Sequence, residues 1–372
     1  MLYREFGKTG KKISALAFGG MRFKEIKVGD EYFVDEEATI EALRRGYELG
    51  INYFDSGYFY CRNRSEKIVG KAIKPFRDKV FLSTKIPMNQ VKGQGDYRRW
   101  LEHCLKETDT DYIDFFHFWS MRKKDFSEKV VPFNLEKEVQ KAKDEGLIKH
   151  CSFSFHDTPE NLRYIVDNFS YFETALLSYN FLDSSLKEEI AYLSEKGLGV
   201  LIMNPVGGGR LAANSEFYKT IGLKSSAMPS YELAFSFVLG TNGVTAALSG
   251  MSTKEMVEQN VAAVNNFEKI SKEDMKTLTD AAENLREKCN LYCTGCKYCI
   301  PCPQKIDIPA IFNLYNLYSV YNLKDEAKRE YEKIKRKGAT ASDCIKCGIC
   351  ESKCTQKISI IEELEKIDNI LG

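Results

Sequence analysis

The sequence predicts an α/β fold, a (β/α)8 TIM barrel followed by a smaller, mainly helical module, on three observations. Eight short runs rich in β-branched and aromatic residues, each followed by a segment with helical apolar spacing, fill the chain up to about residue 265. The length, 372 residues, suits one barrel of about 250 residues plus a second unit. Cysteine usage also changes abruptly: Cys61, Cys104 and Cys151 are alone before residue 280, whereas nine cysteines fall between Cys289 and Cys354.

The eight expected strands are Ile13 to Phe18, Asn52 to Asp55, Val80 to Ile86, Tyr112 to Phe118, His150 to Phe155, Ala175 to Asn180, Gly199 to Asn204 and Thr245 to Ser249. Between the first two, Asp35 can cap a helix that places Ile40, Leu43 and Tyr47 on one face and stops at Gly50. Strand followed by helix, eight times over, predicts a parallel barrel, with chemistry on the loops after the strands. An open doubly wound sheet would want a Gly-x-Gly-x-x-Gly turn after an early strand, and none stands there. A composition break near Ser271 divides the chain into residues 1–270 and 271–372. Lys272 to Lys288 reads as a charged helix leading to the cysteine module. Within the module Ile308 to Tyr321 is apolar and aromatic, and Lys324 to Lys337 is highly charged and read as a solvated face.

Lysine and arginine total 54 against 53 aspartates and glutamates, so no net field favours nucleic acid or an anionic membrane. Small molecules or a protein partner are expected instead. The N-terminus has no apolar core with a cleavage site, and no stretch approaches the ~20 apolar residues of a membrane span. A cytoplasmic protein is expected, and its cysteines are expected to be reduced and clustered for metal rather than paired as disulfides.

The cysteines form two runs, Cys293-x-x-Cys296-x-x-Cys299-x-x-Cys302-Pro303 and Cys344-x-x-Cys347-x-x-Cys350-x-x-x-Cys354. Three thiolates at successive intervals of three can wrap one corner of a cubane, and in two-cluster bacterial ferredoxins the last cysteine of each run ligates the other cluster. The spacing thus predicts a ferredoxin-like domain with two 4Fe-4S clusters. One is expected on Cys293, Cys296, Cys299 and Cys354, the other on Cys344, Cys347, Cys350 and Cys302. Paired structural zinc sites are the rival, but zinc leaves the third cysteine of each run without a role. Cys289 is left over.

In the barrel, Asp55 and Tyr60 follow the second strand, Lys85 ends the third in Ser-Thr-Lys-Ile, and His117 lies on the fourth in Phe-Phe-His-Phe. Neighbouring strand ends converge on the mouth. A lysine beside a tyrosine stabilises phenolate and makes the phenol a usable proton donor near neutral pH. Asp55 would hold Lys85 charged, and His117 would orient a substrate oxygen. The set Asp55-Ser-Gly-Tyr-Phe-Tyr60 with Ser65-Glu66, Ser83-Thr-Lys85 and Asp114-Phe-Phe-His117 resembles the aldo-keto reductase family. The likeness extends through Met203-Asn-Pro-Val-Gly-Gly-Gly-Arg-Leu211 and Ser249-Gly-Met-Ser-Thr253 to Glu258-Gln-Asn260. With the cysteine tail, the chain resembles the iron–sulfur branch of that family.

The resemblance implies a nicotinamide cofactor across the mouth and a catalytic tetrad of Asp55, Tyr60, Lys85 and His117, with Tyr60 protonating a carbonyl oxygen. It maps cofactor contacts onto Ser154, His156, Asn180, Gly208, Gly250, Ser252, Gln259 and Asn260. Gly250 and Met256 stand where NADPH-preferring members carry cations, so NADH is slightly favoured. The family's amide clamp is eroded: Ser154, Phe155 and Leu176 stand where a Ser-Asn pair and a glutamine are usual, and His156 is the candidate substitute. Cys61 follows the tetrad tyrosine where glycine is common. The expected activity is carbonyl reduction or alcohol oxidation, with clusters as structure or sensor. Two alternatives stand beside it. In one, a ferredoxin or other electron-transfer protein feeds electrons through the clusters to a flavin or directly to substrate; in the other, the chain is a non-catalytic electron carrier or redox sensor. Tyr58, Phe59 and Trp119 suggest an apolar or aromatic substrate.

Overall fold

The computed structural model describes residues 1–28, 31–209, 211, 228–288, 293, 295–319, 324–336 and 338–372. Arg210 of the glycine-rich stretch and Cys289 lie outside the described residues. The chain divides into two compact units, Met1–Met275 and Lys276–Gly372.

Twelve strands are described: β1 Tyr3–Glu5, β2 Lys12–Ser14, β3 Leu16–Gly19, β4 Glu25–Val28, β5 Glu31–Val34, β6 Tyr53–Asp55, β7 Phe81–Pro87, β8 Ile113–Met121, β9 Ile148–Phe155, β10 Thr174–Ser178, β11 Gly199–Met203 and β12 Ala246–Gly250. Eight of them close a barrel in the order β3, β6, β7, β8, β9, β10, β11, β12, and every pair in it is parallel. The run expected as the first barrel strand is split. Lys12–Ser14 pairs antiparallel with β1, and the chain changes partners at Ser14, whose hydroxyl donates to Leu16 O at 2.7 Å.

Side chains alternate across each barrel strand. Tyr53, Phe115, Leu176, Leu201 and Leu248 fill the interior with Phe6, which the β1–β2 turn delivers from the N-terminal end. Phe6 is fully buried, with its ring centroid 5.0 Å from Phe115 and 5.8 Å from Tyr53. The floor packs backbone on backbone: Gly7 has φ +57, and a Cβ there would fall 2.3 Å from Gly199 N. The opposite set of side chains meets the helices, as where Tyr97 packs edge-on against Phe116. Helix Glu36–Glu48 is capped by Asp35, which accepts from Ala38 N. Its buried stripe is Thr39, Ala42, Leu43 and Gly46, so the expected Ile40 and Tyr47 fall at the stripe's edges.

The second unit is helical, with helices Ile308–Ser319, Lys324–Lys335, Ile349–Lys353 and Ile360–Leu371 around a core that includes Ile311, Phe312, Tyr331, Leu364 and Ile367. The charged helix Lys324–Lys335 is more than a solvated face. Ala327 and Tyr331 are fully buried, and the Tyr331 hydroxyl donates to Asp368 Oδ1 at 2.8 Å and accepts from Ala341 N at 3.1 Å.

The expected iron–sulfur sites require correction. Among the described residues no group of three or more His, Cys, Asp or Glu side chains is placed to hold a metal ion. Cys299 and Cys350 are buried, Cys347 is exposed, and Cys293, Cys296, Cys302, Cys344 and Cys354 are partly exposed, none of them in a disulfide. Cys299, Cys302, Cys344, Cys347 and Cys350 border one hollow without closing into a ligand set. Burial pushes the Cys299 thiol up to about 12, and Cys296, Cys293 and Cys354 add to the rise. The two 4Fe-4S clusters expected on the eight cysteines therefore have no ligand set here, and the iron–sulfur part of the expected fold class falls with them. The ferredoxin-fed and flavin-coupled alternative loses its electron conduit, and the electron-carrier or sensor alternative loses its carrier.

In the described residues no helix is long and apolar enough to cross a membrane.

Candidate active site

Alternation in β6, β7 and β8 turns Asp55, Lys85 and His117 to the barrel interior, and parallel register sets them side by side: Asp55 opposes Ser83, and Lys85 opposes His117. The Lys85 ammonium lies 2.7 and 2.6 Å from the two Asp55 oxygens, and it also donates to Ser56 O. Ser83 Oγ donates to Asp55 Oδ1 at 2.7 Å. Burial pushes Lys85 below its ordinary range against the pull of Asp55, and pushes Asp55 up against the pull of Lys85 and Ser83. A buried ion pair of this kind holds only while both partners and their hydrogen bonds are in place.

Tyr60 leans over the pair. Its ring centroid is 4.8 Å from Lys85 Nζ, and only 8% of the residue is exposed. His117 is fully buried, with Nε2 3.4 Å from the Tyr53 hydroxyl. Burial, and then the Lys85 charge, hold its imidazole well below the ordinary value, so a neutral ring faces the mouth. The expected tetrad is thus one constellation: an acid beside a cation, with a neutral hydrogen-bonding ring next to it. Asp114 serves the scaffold instead, accepting from Leu82 N at 2.9 Å and pairing with Arg77 at 2.8 Å.

The mouth above Tyr60 is aromatic. Trp119 meets Tyr60 and Phe59 with centroids 5.3 Å away in each case, and Tyr58 packs on Phe59, Trp100 and His103. Sequence reasoning missed Tyr53, Ser83, Trp100 and His103. Tyr53 and Ser83 stand two residues before Asp55 and Lys85 on the same strands, so the alternation that found the tetrad could have found them.

The residues expected to hold a cofactor are less closely joined. Ser154 faces inward, its hydroxyl accepting from Ser120 N at 2.8 Å. The Asn180 amide is used in its own turn, accepting from Leu182 N and Asp183 N and donating to Asn204 O. His156 follows β9, its N–H donating to Met121 O at 3.3 Å. Gly208 lies in a short turn with φ 71. Gly250 ends β12 with the Arg22 stem laid across it, so a Cβ there would meet Arg22 Cβ at 2.9 Å. Ser252 Oγ is 3.2 Å from Met256 Sδ, Gln259 is exposed, and Asn260 Nδ2 donates to Ser249 Oγ at 3.2 Å. Leu176 sits in the interior apolar layer, whereas Phe155 alternates outward with Phe153, whose ring packs on Phe172 at 4.5 Å. Two residues beyond Leu176, the Ser178 hydroxyl oxygen is buried with no hydrogen-bond partner among the described residues.

Residues 292–359 match a family described as a 4Fe-4S dicluster domain, a likeness of sequence over the module whose thiols are described above. The chain is 27% identical to L-galactose dehydrogenase of Arabidopsis thaliana over 77% of its own length and 95% of that protein. It is 25% identical to probable aldo-keto reductase 1 of Glycine max, over 74% of this chain and 88% of that one. In fold it resembles an aldo-keto reductase of Bacillus halodurans in its holo form, with a TM-score of 0.64 and 23% identity, covering 76% of this chain and 96% of that one. Residues 15–283 match the family described as the aldo/keto reductase family, and on that match, with the buried Tyr60, Lys85, Asp55 and His117 at the mouth of its barrel, the chain belongs to the aldo/keto reductases and is an oxidoreductase of their type.

Proposed function

We propose that the barrel mouth interconverts a carbonyl compound and its alcohol with a nicotinamide cofactor, and that Asp55, Tyr60, Lys85 and His117 form the catalytic tetrad. The observation that carries this reading is the Lys85 ammonium, held by both Asp55 oxygens and set 4.8 Å from the Tyr60 ring. When bound, the nicotinamide supplies or takes up the hydride. The chain supplies the proton: Tyr60 gives it to the carbonyl oxygen, Lys85 steadies the phenolate left behind, and the neutral His117 ring orients that oxygen.

The second half of the mouth would hold the cofactor, with Ser154, His156, Asn180, Gly208, Gly250, Ser252, Gln259 and Asn260 as the candidate contacts. The Ser178 hydroxyl supports such a ligand, because a buried polar atom without a partner is costly and a polar ligand at the mouth would complete it. Gly250 and Met256 carry no charge, which favours NADH, while the Arg22 stem lies across Gly250; the reading admits both dinucleotides. The aromatic lining of Tyr58, Phe59 and Trp119 fits a ring-bearing or apolar substrate. That none of the described cysteines is in a disulfide fits a reducing cytoplasm.

The chain's two tryptophans both lie in this aromatic cluster, so quenching of their emission reports binding directly. Titration with NADH and NADPH should quench it saturably, and reduction of 4-nitrobenzaldehyde should consume the dinucleotide that binds. Absence of quenching by either would overturn the nicotinamide reading.

A further inference from the structure

Tyr60 is carried by an excursion, residues 56 to 64, that leaves β6 and returns to helix Ser65–Ile73. Cys61, Arg62 and Asn63 follow it with φ of 50, 57 and 63. Three consecutive side-chain-bearing residues in the left-handed region persist only where the surroundings over-determine them.

Two buried side chains at the end of the excursion do so. Ser65 Oγ lies 2.8 Å from Ser56 Oγ and donates to Gly20 O at 2.8 Å, tying the last turn of the loop to its first residue and to the end of β3. Glu66, only 3% exposed, accepts from Thr84 Oγ1 at 2.5 Å. Thr84 immediately precedes Lys85 and points to the outer face of β7, so one carboxyl joins the exit of the Tyr60 loop to the strand that carries Lys85. Cys104, from helix Gly95–Thr108, comes to the same strand, its thiol 3.9 Å from Lys85 O. A carboxyl on the first turn of a helix would ordinarily face water, and burial here pushes it up. Its placement is costly and is spent on joining the two elements whose relative position matters most.

We propose that Ser65 and Glu66 are positioning residues that set the Tyr60 hydroxyl against Lys85, one by pinning the loop to β3 and the other by pinning it to β7. The inference rests on the reading of Tyr60 as proton donor, and its test separates the two. Glu66→Ala, Ser65→Ala, Glu66→Gln and Tyr60→Phe are assayed with 4-nitrobenzaldehyde and NADPH or NADH. In parallel, tryptophan quenching counts dinucleotide sites per chain, so that loss of folded protein is not mistaken for loss of turnover. In Glu66→Ala and Ser65→Ala, kcat should fall at least about tenfold with KM and site number unchanged. Glu66→Gln keeps the oxygen that Thr84 bonds and should stay within about threefold of the parent. An inactive Tyr60→Phe beside a fully active Ser65→Ala and Glu66→Ala overturns the pinning role. A Glu66→Gln as impaired as Glu66→Ala overturns it for Glu66, since charge rather than the bond to Thr84 would then matter. A fully active Tyr60→Phe overturns the reading beneath it.

Discussion

The two halves of the barrel mouth are finished to different degrees. On β6, β7 and β8 the side chains already hold one another: Lys85 is gripped by Asp55, Asp55 by Ser83, and His117 by its neighbourhood with Tyr53. On β9 and β10 the bonds are to backbone or between hydroxyls, as Ser154 accepts from Ser120 N and Asn180 from Leu182 N, and the Ser178 hydroxyl, like Nδ1 of His117 across the mouth, has no partner among the described residues. If Tyr60 delivers a proton, as proposed above, the half on β6, β7 and β8 has to be organised before anything arrives. A binding half can be completed by its ligand.

This contrast is broken most severely at its centre. Tyr60→Phe should cost turnover about 10²- to 10⁴-fold, the usual contribution of a positioned acid, while leaving dinucleotide quenching within threefold; weakened binding of the same size would place Tyr60 in the other half. Asp55→Asn leaves the Lys85 ammonium buried without its counter-charge and should cost about 3–5 kcal/mol of stability in urea denaturation. Adding Lys85→Met to that variant should restore part of the loss, and additivity of the two would deny the pair.

On the unfinished side the effects are smaller. Ser178→Ala removes a hydroxyl that only a ligand would satisfy. Dinucleotide affinity should fall about two- to tenfold, and the stability of the free protein should not fall. Loss of stability without loss of affinity would return Ser178 to the scaffold. The smallest effect lies at the strand starts. Glu173 is pulled down from 4.5 to about 2 because bonds from His150 and Lys143 outweigh its burial. A lowered carboxyl contributes stability that is fully present above pH 4.5 and lost as pH falls toward about 2. The stability difference between parent and Glu173→Gln should therefore shrink as pH falls from 4.5 toward about 2; a constant difference down to pH 2 would contradict the assignment.

The grouping of Asp55, Lys85 and His117 was legible because strand-end position and a period of two are both written in the chain, and together they aim the three side chains at one point. The contact of Glu66 was not, since Glu66 lies on a helix and its partner Thr84 on a strand, and the two meet only once helix and sheet have packed. The first barrel strand was read too long because a β-branched run does not announce that it changes partners at Ser14. In the second unit, charge obscured an apolar stripe: Ala327 and Tyr331 stand four residues apart on a helix otherwise rich in lysine and glutamate. The cysteine spacing identifies thiols able to reach a common centre. Whether the chain brings them there is a matter of packing, and the described thiols do not close into such a group.

Phe6 has an effect well beyond its own contacts. Packed against Tyr53 and Phe115 at the N-terminal end of the barrel, it helps make the interior a solid plug rather than a pore, so a small molecule meets the polar strand ends from one side of the sheet.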